Sequence, residues 1–190
     1  PDEGHVEMDG RAIAPASPRD AMALGITAVF QEPALVPQLT VAENLTLGRE
    51  HLRWGLLCRS KNRAEALQAL DRTGATIDPD DLVRDLSRAE RQIVEIARAL
   101  HSSAKVLILD EPTASLTEEE TEQLFATIAR LRAEGLVIIY ITHRIQEIRR
   151  IGNTVSVLRD GRLVRTTNID DITNDEIVTL MTGRQVSANF

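Results

Sequence analysis

The sequence predicts an α/β fold: a mostly parallel sheet covered by helices, with an inserted α-helical subdomain and β-hairpins at the edge. Three observations carry this expectation. The runs Val106-Leu107-Ile108-Leu109 and Leu136-Val137-Ile138-Ile139-Tyr140-Ile141 are apolar without alternation, as strands buried on both faces are, and an amphipathic helical stretch separates them. Residues 40–100 are dominated by Ala, Leu, Glu and Arg, with breaks at Gly55, Gly74 and Pro79, which reads as a helical insertion. Asp-Gly pairs at 9–10 and 160–161 sit inside alternating segments, and such pairs suit two-residue hairpin turns because both residues tolerate positive φ.

In chain order, the first hairpin spans the region of Val6 to Ile13. A Pro-containing loop, a short helix up to Leu24 and a stop at Gly25 follow. Next comes a strand candidate, Ile26-Thr27-Ala28-Val29-Phe30, ending at Gln31-Glu32-Pro33. Ser87 with Glu90 forms a capping box ahead of Ile93, Ile96, Ala97 and Leu100, whose i, i+3, i+4, i+7 spacing gives an amphipathic helix. Thr117 with Glu120 forms a second box, opening a helix through Leu124, Ile128 and Leu131 that Gly135 ends. The expected partition is residues 1–39 (hairpin, core strand and Gln31 loop), 40–103 (helical subdomain) and 104–190 (remaining core, hairpin and last helix).

Composition narrows the function. Of 190 residues, 22 are basic and 29 acidic, a formal net charge of −7. Neutralising phosphates along a nucleic acid needs clustered Lys and Arg, and the longest cluster here is Arg149-Arg150, so no nucleic-acid partner is expected. The single cysteine, Cys58, excludes an internal disulfide and a thiolate metal cage. The longest apolar run, residues 136–141, is far short of the roughly 20 residues that span a bilayer.

In parallel sheets ligands bind beyond the carboxyl ends of the strands, and the expected strands end in Gln31, in Asp110-Glu111 and in Thr142-His143. Paired carboxylates after an apolar strand suit metal-dependent phosphoryl transfer: one holds Mg²⁺, the next polarises a water. On spacing alone the pair is equally compatible with a turn before Pro112, and a lone histidine at a strand end is commonly structural.

The order of these segments resembles that of ABC transporter ATPase domains. Gln31, Leu86-Ser87-Arg88-Ala89-Glu90, Asp110-Glu111-Pro112-Thr113, Ala114-Ser115-Leu116-Thr117 and Thr142-His143 resemble, in turn, the family's Q-loop, signature motif, Walker B motif, D-loop and H-loop. The run Val94-Glu95-Ile96-Ala97-Arg98-Ala99-Leu100 and the ending Met181-Thr182-Gly183-Arg184 look most like the monosaccharide importers of ribose, galactose or xylose type, in the first of their two fused ATPase domains. The resemblance implies a P-loop NTPase-type fold and Mg-ATP sandwiched between two ATPase domains. It assigns Asp110 and Gln31 to the metal and Glu111 to the general base. His143 is assigned to the γ-phosphate, and Ser87, Arg88, Ala89, Glu90 and Ser115 to nucleotide held by the opposite domain. The partners implied are a transmembrane permease, a second ATPase domain and, indirectly, a periplasmic sugar-binding protein. The location implied is the cytoplasmic face of the membrane, as a peripheral subunit.

Three departures accompany the resemblance, one of them Thr117, which stands in the D-loop where many relatives have aspartate. Arg88 and Ala89 stand where the family has glycines, and Glu90 where it has glutamine. Side chains there are expected to loosen contact with phosphate, and Arg88 and Arg91 lie close enough in sequence to offset the Glu90 charge. No Gly-x-x-x-x-Gly-Lys-Ser/Thr loop occurs, so the expectation is a domain short of its phosphate loop and the segment before it. The alternative reading is a truncated, non-hydrolysing interaction module that supplies the signature segment and a permease-docking surface.

Overall fold

A computed structural model describes residues 4–31, 34–101 and 104–183 of the chain. It divides into two compact units, residues 1–139 and 140–190.

The first unit opens with the expected hairpin, β1 (Val6–Met8) and β2 (Arg11–Ile13), around Asp9 and Gly10 at φ 52° and 73°. Helix α1 (Pro18–Ala23) starts at a Ser17 cap with proline at its first position, where a missing N–H costs nothing. Strand β3 (Ile26–Val29) follows. Helix α2 (Val41–Thr46) is opened by a capping box between Thr40 and Glu43. A short hairpin, β4 (Leu52–Arg53) and β5 (Leu56–Leu57), then precedes α3 (Arg59–Thr73), which Gly74 ends at φ 75°. Helix α4 (Arg88–Leu100) carries the expected Ser87–Glu90 box. Strand β6 (Val106–Asp110) leads to α5 (Glu118–Ala133), opened by the expected Thr117–Glu120 box, and then to β7 (Val137–Ile141).

Three strands form one sheet in the order β3, β6, β7, with β3 and β6 parallel and Val29 paired to Leu109. Leu107 and Leu109 of β6 are fully buried, as are Leu124 and Leu131 of α5. Around α2, α3 and α4 a second apolar cluster collects Val41, Leu45, Ala66, Leu70, Val83 and Val94. Burying a side chain of this size is worth about 1.5–3 kcal/mol, which is how short helices such as α2 hold their place.

Two expectations need correction. The helical stretch 40–100 contains the β4/β5 hairpin, whose turn uses Trp54 and Gly55 at φ 57° and 80°. The strands are also not buried on both faces. In β6 full burial alternates with partial burial, and in β7 Val137 and Ile139 are 57% and 48% exposed. Strand β7 ends the described sheet, so no further strand covers it on that side.

The second unit contains α6 (Ile145–Ile151), the hairpin β8 (Thr154–Arg159) and β9 (Arg162–Asn168), and α7 (Asn174–Thr182). Asp160 and Gly161 turn the hairpin at φ 52° and 73°, as expected. Val155, Val157, Ile169, Ile172 and Ile177 form its core. Of the ending segment, Arg184 lies outside the described residues.

Candidate nucleotide site

Because β3 and β6 run parallel with Val29 opposite Leu109, Gln31, two residues after Val29, and Asp110-Glu111, directly after Leu109, follow the same ends of neighbouring strands. The sheet thus brings Gln31, Asp110 and Glu111 to one edge, at the carboxyl ends of adjacent strands. Gln31 is exposed, whereas Asp110 and Glu111 are half-buried. Glu32 and Pro33 lie outside the described residues.

Glu111 has φ 44°, a left-handed conformation that costs a non-glycine residue roughly 1–2 kcal/mol. Such strain persists only where the surroundings fix it. Here Pro112 and Thr113 are buried, the Ala114 amide donates to the Glu111 carbonyl at 3.1 Å, and the Leu116 amide donates to the Thr113 carbonyl at 3.1 Å. The turn after β6 is therefore held from its own backbone.

A second group gathers at the start of α4. Ser87 Oγ accepts from the Glu90 amide at 3.2 Å, and the Ser87 amide donates to Glu90 Oε2 at 2.7 Å. Glu90 is thus engaged by its own helix. Arg88 Nη1 donates to the Ser115 carbonyl at 3.1 Å, while Arg91 donates to the carbonyls of Val83 and Arg84 at 3.1 and 2.8 Å. Neither guanidinium bonds to Glu90, so the charge offset expected from sequence is not made by hydrogen bonding. Ala89 is fully buried, and its amide faces the Glu120 carboxyl.

Glu120 joins this group. Its carboxyl is held below the usual carboxylate range first by the Thr117 amide, and further by the Ala89 amide, the Thr117 hydroxyl and the positive charge of Arg88, against slight desolvation. The turn bearing Ser115 and the start of α4 therefore share hydrogen bonds within one chain.

His143, in the second unit, is exposed and follows Thr142. Sequence reasoning missed what holds this segment. Glu147, only 5% exposed, accepts from Tyr140 Oη at 3.0 Å, Thr142 Oγ1 at 2.8 Å and Arg144 Nη1 at 3.4 Å. Thr142 Oγ1 in turn accepts from the Arg144 amide at 3.0 Å. Both chain neighbours of His143 are thus fixed to one carboxylate. The signal available in sequence was an acidic residue four positions after the histidine, too common to single out.

Among the described residues, no group of three or more His, Cys, Asp or Glu is placed to hold a metal alone, and no helix is long and apolar enough to cross a membrane. Hard oxygen donors from Asp110 and Gln31 fit Mg²⁺, which typically takes one or two protein ligands and completes its shell with phosphate oxygens and water.

The chain is 47% identical over 190 residues to the ribose import ATP-binding protein RbsA 1 of Rubrobacter xylanophilus, matching 100% of this chain and 38% of that protein. It is 49% identical over 190 residues to a putative ribose/galactose/methyl galactoside import ATP-binding protein of Agrobacterium fabrum, again 100% of this chain and 38% of the relative. The chain thus spans well under half the length of these relatives. Among solved structures it is similar to a nucleotide-free ATP-binding cassette from an ABC transporter, with TM-score 0.76 and 22% identity over 96% of this chain and 74% of that one. It is also similar to cbiO1 of Clostridium perfringens, part of the cbiONQ transporter complex, with TM-score 0.75 and 29% identity over 90% of this chain and 68% of that one. The fold is accordingly of the P-loop NTPase type, and the family model described as ABC transporter matches residues 1–114. On these grounds the chain belongs to the ABC transporter family.

Proposed function

We propose that this chain works within the ATP-binding subunit of an ATP-driven sugar importer, at the cytoplasmic face of the membrane and docked to a transmembrane permease. The observation that carries the reading is the edge formed by Gln31, Asp110 and Glu111 at the ends of two parallel strands, in a chain so similar to sugar-import ATP-binding proteins. Asp110 and Gln31 would hold Mg²⁺, which supplies charge neutralisation for the phosphates when bound. Glu111, fixed by its turn, accepts the proton of the attacking water and orients that water toward the γ-phosphate. Gln31 aligns the same water from the neighbouring strand. His143 donates to the γ-phosphate and helps hold its charge. Ser87, Arg88, Ala89, Glu90 and Ser115 meet nucleotide carried by a second ATPase domain. A periplasmic sugar-binding protein delivers the cargo to the permease and leaves sugar selectivity outside this chain.

Replacing Glu111 by Gln in the full-length protein tests the assignment. A lost general base lowers turnover by about 10²–10⁴-fold, with ATP still bound. Unchanged ATP turnover and sugar uptake would overturn the role of Glu111 and favour a non-hydrolysing interaction module.

A further inference from the structure

Helix α4 carries two ionisable side chains, Glu95 and Arg98, on a face that packs inward. Glu95 is 5% exposed, and Arg98 Nη2 donates to its Oε2 at 2.8 Å. The same guanidinium donates through Nη1 to the Ala34 carbonyl at 2.9 Å. The Ala34 amide faces the Glu95 carboxyl and favours its charge. Both backbone groups of Ala34 therefore look onto one i, i+3 pair. Burial, the largest effect on Glu95, pushes its carboxyl above the ordinary range, and Arg98 opposes this most. Among the described residues its Oε1 has no hydrogen-bond partner, so the carboxylate is sustained in the interior by a small number of contacts.

Ala34 stands three positions after Gln31. Three residues span at most about 11 Å when fully extended, so fixing Ala34 limits where Gln31 can go. On the other side Gln31 is two residues from Val29, whose register with Leu109 is set by the sheet. Beyond Ala34, the Val36 amide donates to Asn44 Oδ1 at 2.7 Å. Gln31 thus lies between two fixed points, Val29 and Ala34, and the second is fixed by the helix that begins at Ser87.

We infer that Glu95 and Arg98 are positioning residues for Gln31: together they clamp the backbone of Ala34 and link α4 to the end of β3. This rests on the proposed role of Gln31 in turnover, but the clamp itself is measurable without catalysis. Arginine suits the task because its planar fork reaches a carboxylate and a carbonyl at once, which a lysine ammonium on a single stem does less well.

The test uses the full-length protein, with amide hydrogen exchange and steady-state ATPase kinetics side by side. Arg98→Ala removes the bond to the Ala34 carbonyl and releases the Glu95 carboxyl that the Ala34 amide faces, so that amide should exchange about tenfold faster or more, with exchange across α2 unchanged. The kcat should fall about tenfold with KM for ATP within about twofold, the split that a disturbed water alignment gives. Arg98→Lys should recover part of kcat. Adding Gln31→Ala to Arg98→Ala should cost no more than Gln31→Ala alone, because both changes remove the same alignment. Should Arg98→Ala unfold, Glu95→Leu with Arg98→Leu removes both charges together, a replacement that buried pairs commonly tolerate. It should show the same fast Ala34 exchange and reduced kcat. Retained Ala34 protection in a folded variant, or additive losses with Gln31→Ala, would overturn the inference. If Gln31→Ala alone leaves turnover intact, the proposed function of Gln31 fails, while the exchange result still decides whether the clamp exists.

Discussion

Asn44→Ala removes a side chain that organises the approach from the Gln31 segment to α2. Asn44 is fully buried. Its Oδ1 accepts from the Val36 amide at 2.7 Å, and its Nδ2 donates to the carbonyls of Val36, Leu39 and Thr40 at 3.0, 3.4 and 2.9 Å. Truncation does not strand all of these groups equally. The Val36 carbonyl still accepts from the Leu39 amide at 3.2 Å, the Leu39 carbonyl from the Val83 amide at 3.1 Å, and the Thr40 carbonyl from the residue 44 amide at 3.0 Å. Only the Val36 amide loses its partner outright, a cost of about 1–3 kcal/mol. The void left by the amide group adds about 1 kcal/mol. The expected loss is therefore roughly 2–4 kcal/mol, and a Tm drop of about 4–16 °C for a chain of this size.

Asn44→Asp sharpens the test. It keeps the acceptor for Val36 but turns a donor toward three carbonyls into a buried carboxylate. Burial and carbonyl dipoles raise the folded pKa of that group above about 3.9, its unfolded value. The folded state then binds the extra proton, so stability is present at low pH and is lost as pH rises through the raised pKa. Urea melts followed by circular dichroism at pH 5 and pH 7 should show Asn44→Asp nearer wild type at pH 5 and below Asn44→Ala at pH 7. A loss under about 0.5 kcal/mol for Asn44→Ala, within the range of ordinary surface changes, would refute the reasoning. So would a pH-independent Asn44→Asp.

Other outcomes follow from local chemistry. The carboxyls of Glu120 and Glu176 are held below their ordinary value of 4.5, first by the Thr117 and Thr173 amides respectively. Their contribution is present above pH 4.5 and lost as pH falls through the lowered values, so α5 and α7 should fray first on acid titration, read by amide exchange. Glu95 has the opposite sign: its raised carboxyl makes its share of stability greatest below pH 4.5, fading as pH rises. Gly152→Ala should destabilise the second unit by about 1–3 kcal/mol in a thermal melt, because the added Cβ would lie 2.6 Å from the Ile148 carbonyl oxygen, which is backbone and has little room to yield.

What could be read in the sequence depended on whether a residue's own chemistry names its role. The turns at Asp9-Gly10 and Asp160-Gly161 were legible because both residue types favour positive φ. The turn at Trp54-Gly55 was not, since tryptophan at φ 57° carries no such signal. The capping boxes of α4 and α5 were legible from two residues at fixed spacing. Apolarity in residues 136–141 announced a strand but not what lies against it, and so the exposure of Val137 and Ile139 was missed. On α4 the stripe Ile93, Ile96, Ala97 and Leu100 was read correctly, and each of these is at most 4% exposed. Gln92 and Glu95 fall off that stripe, yet they are 3% and 5% exposed because α4 is surrounded by several neighbours.

The same distinction explains why the residues that carry the proposed chemistry stood out while those that hold them did not. In the proposed function Gln31, Asp110, Glu111 and His143 act through their side chains, so their identities appear in a motif. Arg98 and Arg88 grip the carbonyls of Ala34 and Ser115, and Arg72 Nη1 grips the Leu100 carbonyl at 3.1 Å near the far end of α4. A carbonyl is the same on every residue, so the gripped position leaves no mark in the sequence and its side chain is free to vary. Only the arginine is constrained, and within a helix rich in arginine it looks like any surface charge. Since α4 is one rigid element of about 20 Å at 1.5 Å per residue, these bonds tie Ala34 and the Ser115 turn to the helix. The helix is thereby a physical link between Ala34 and the turn beyond β6, built from side chain to backbone rather than from motif to motif.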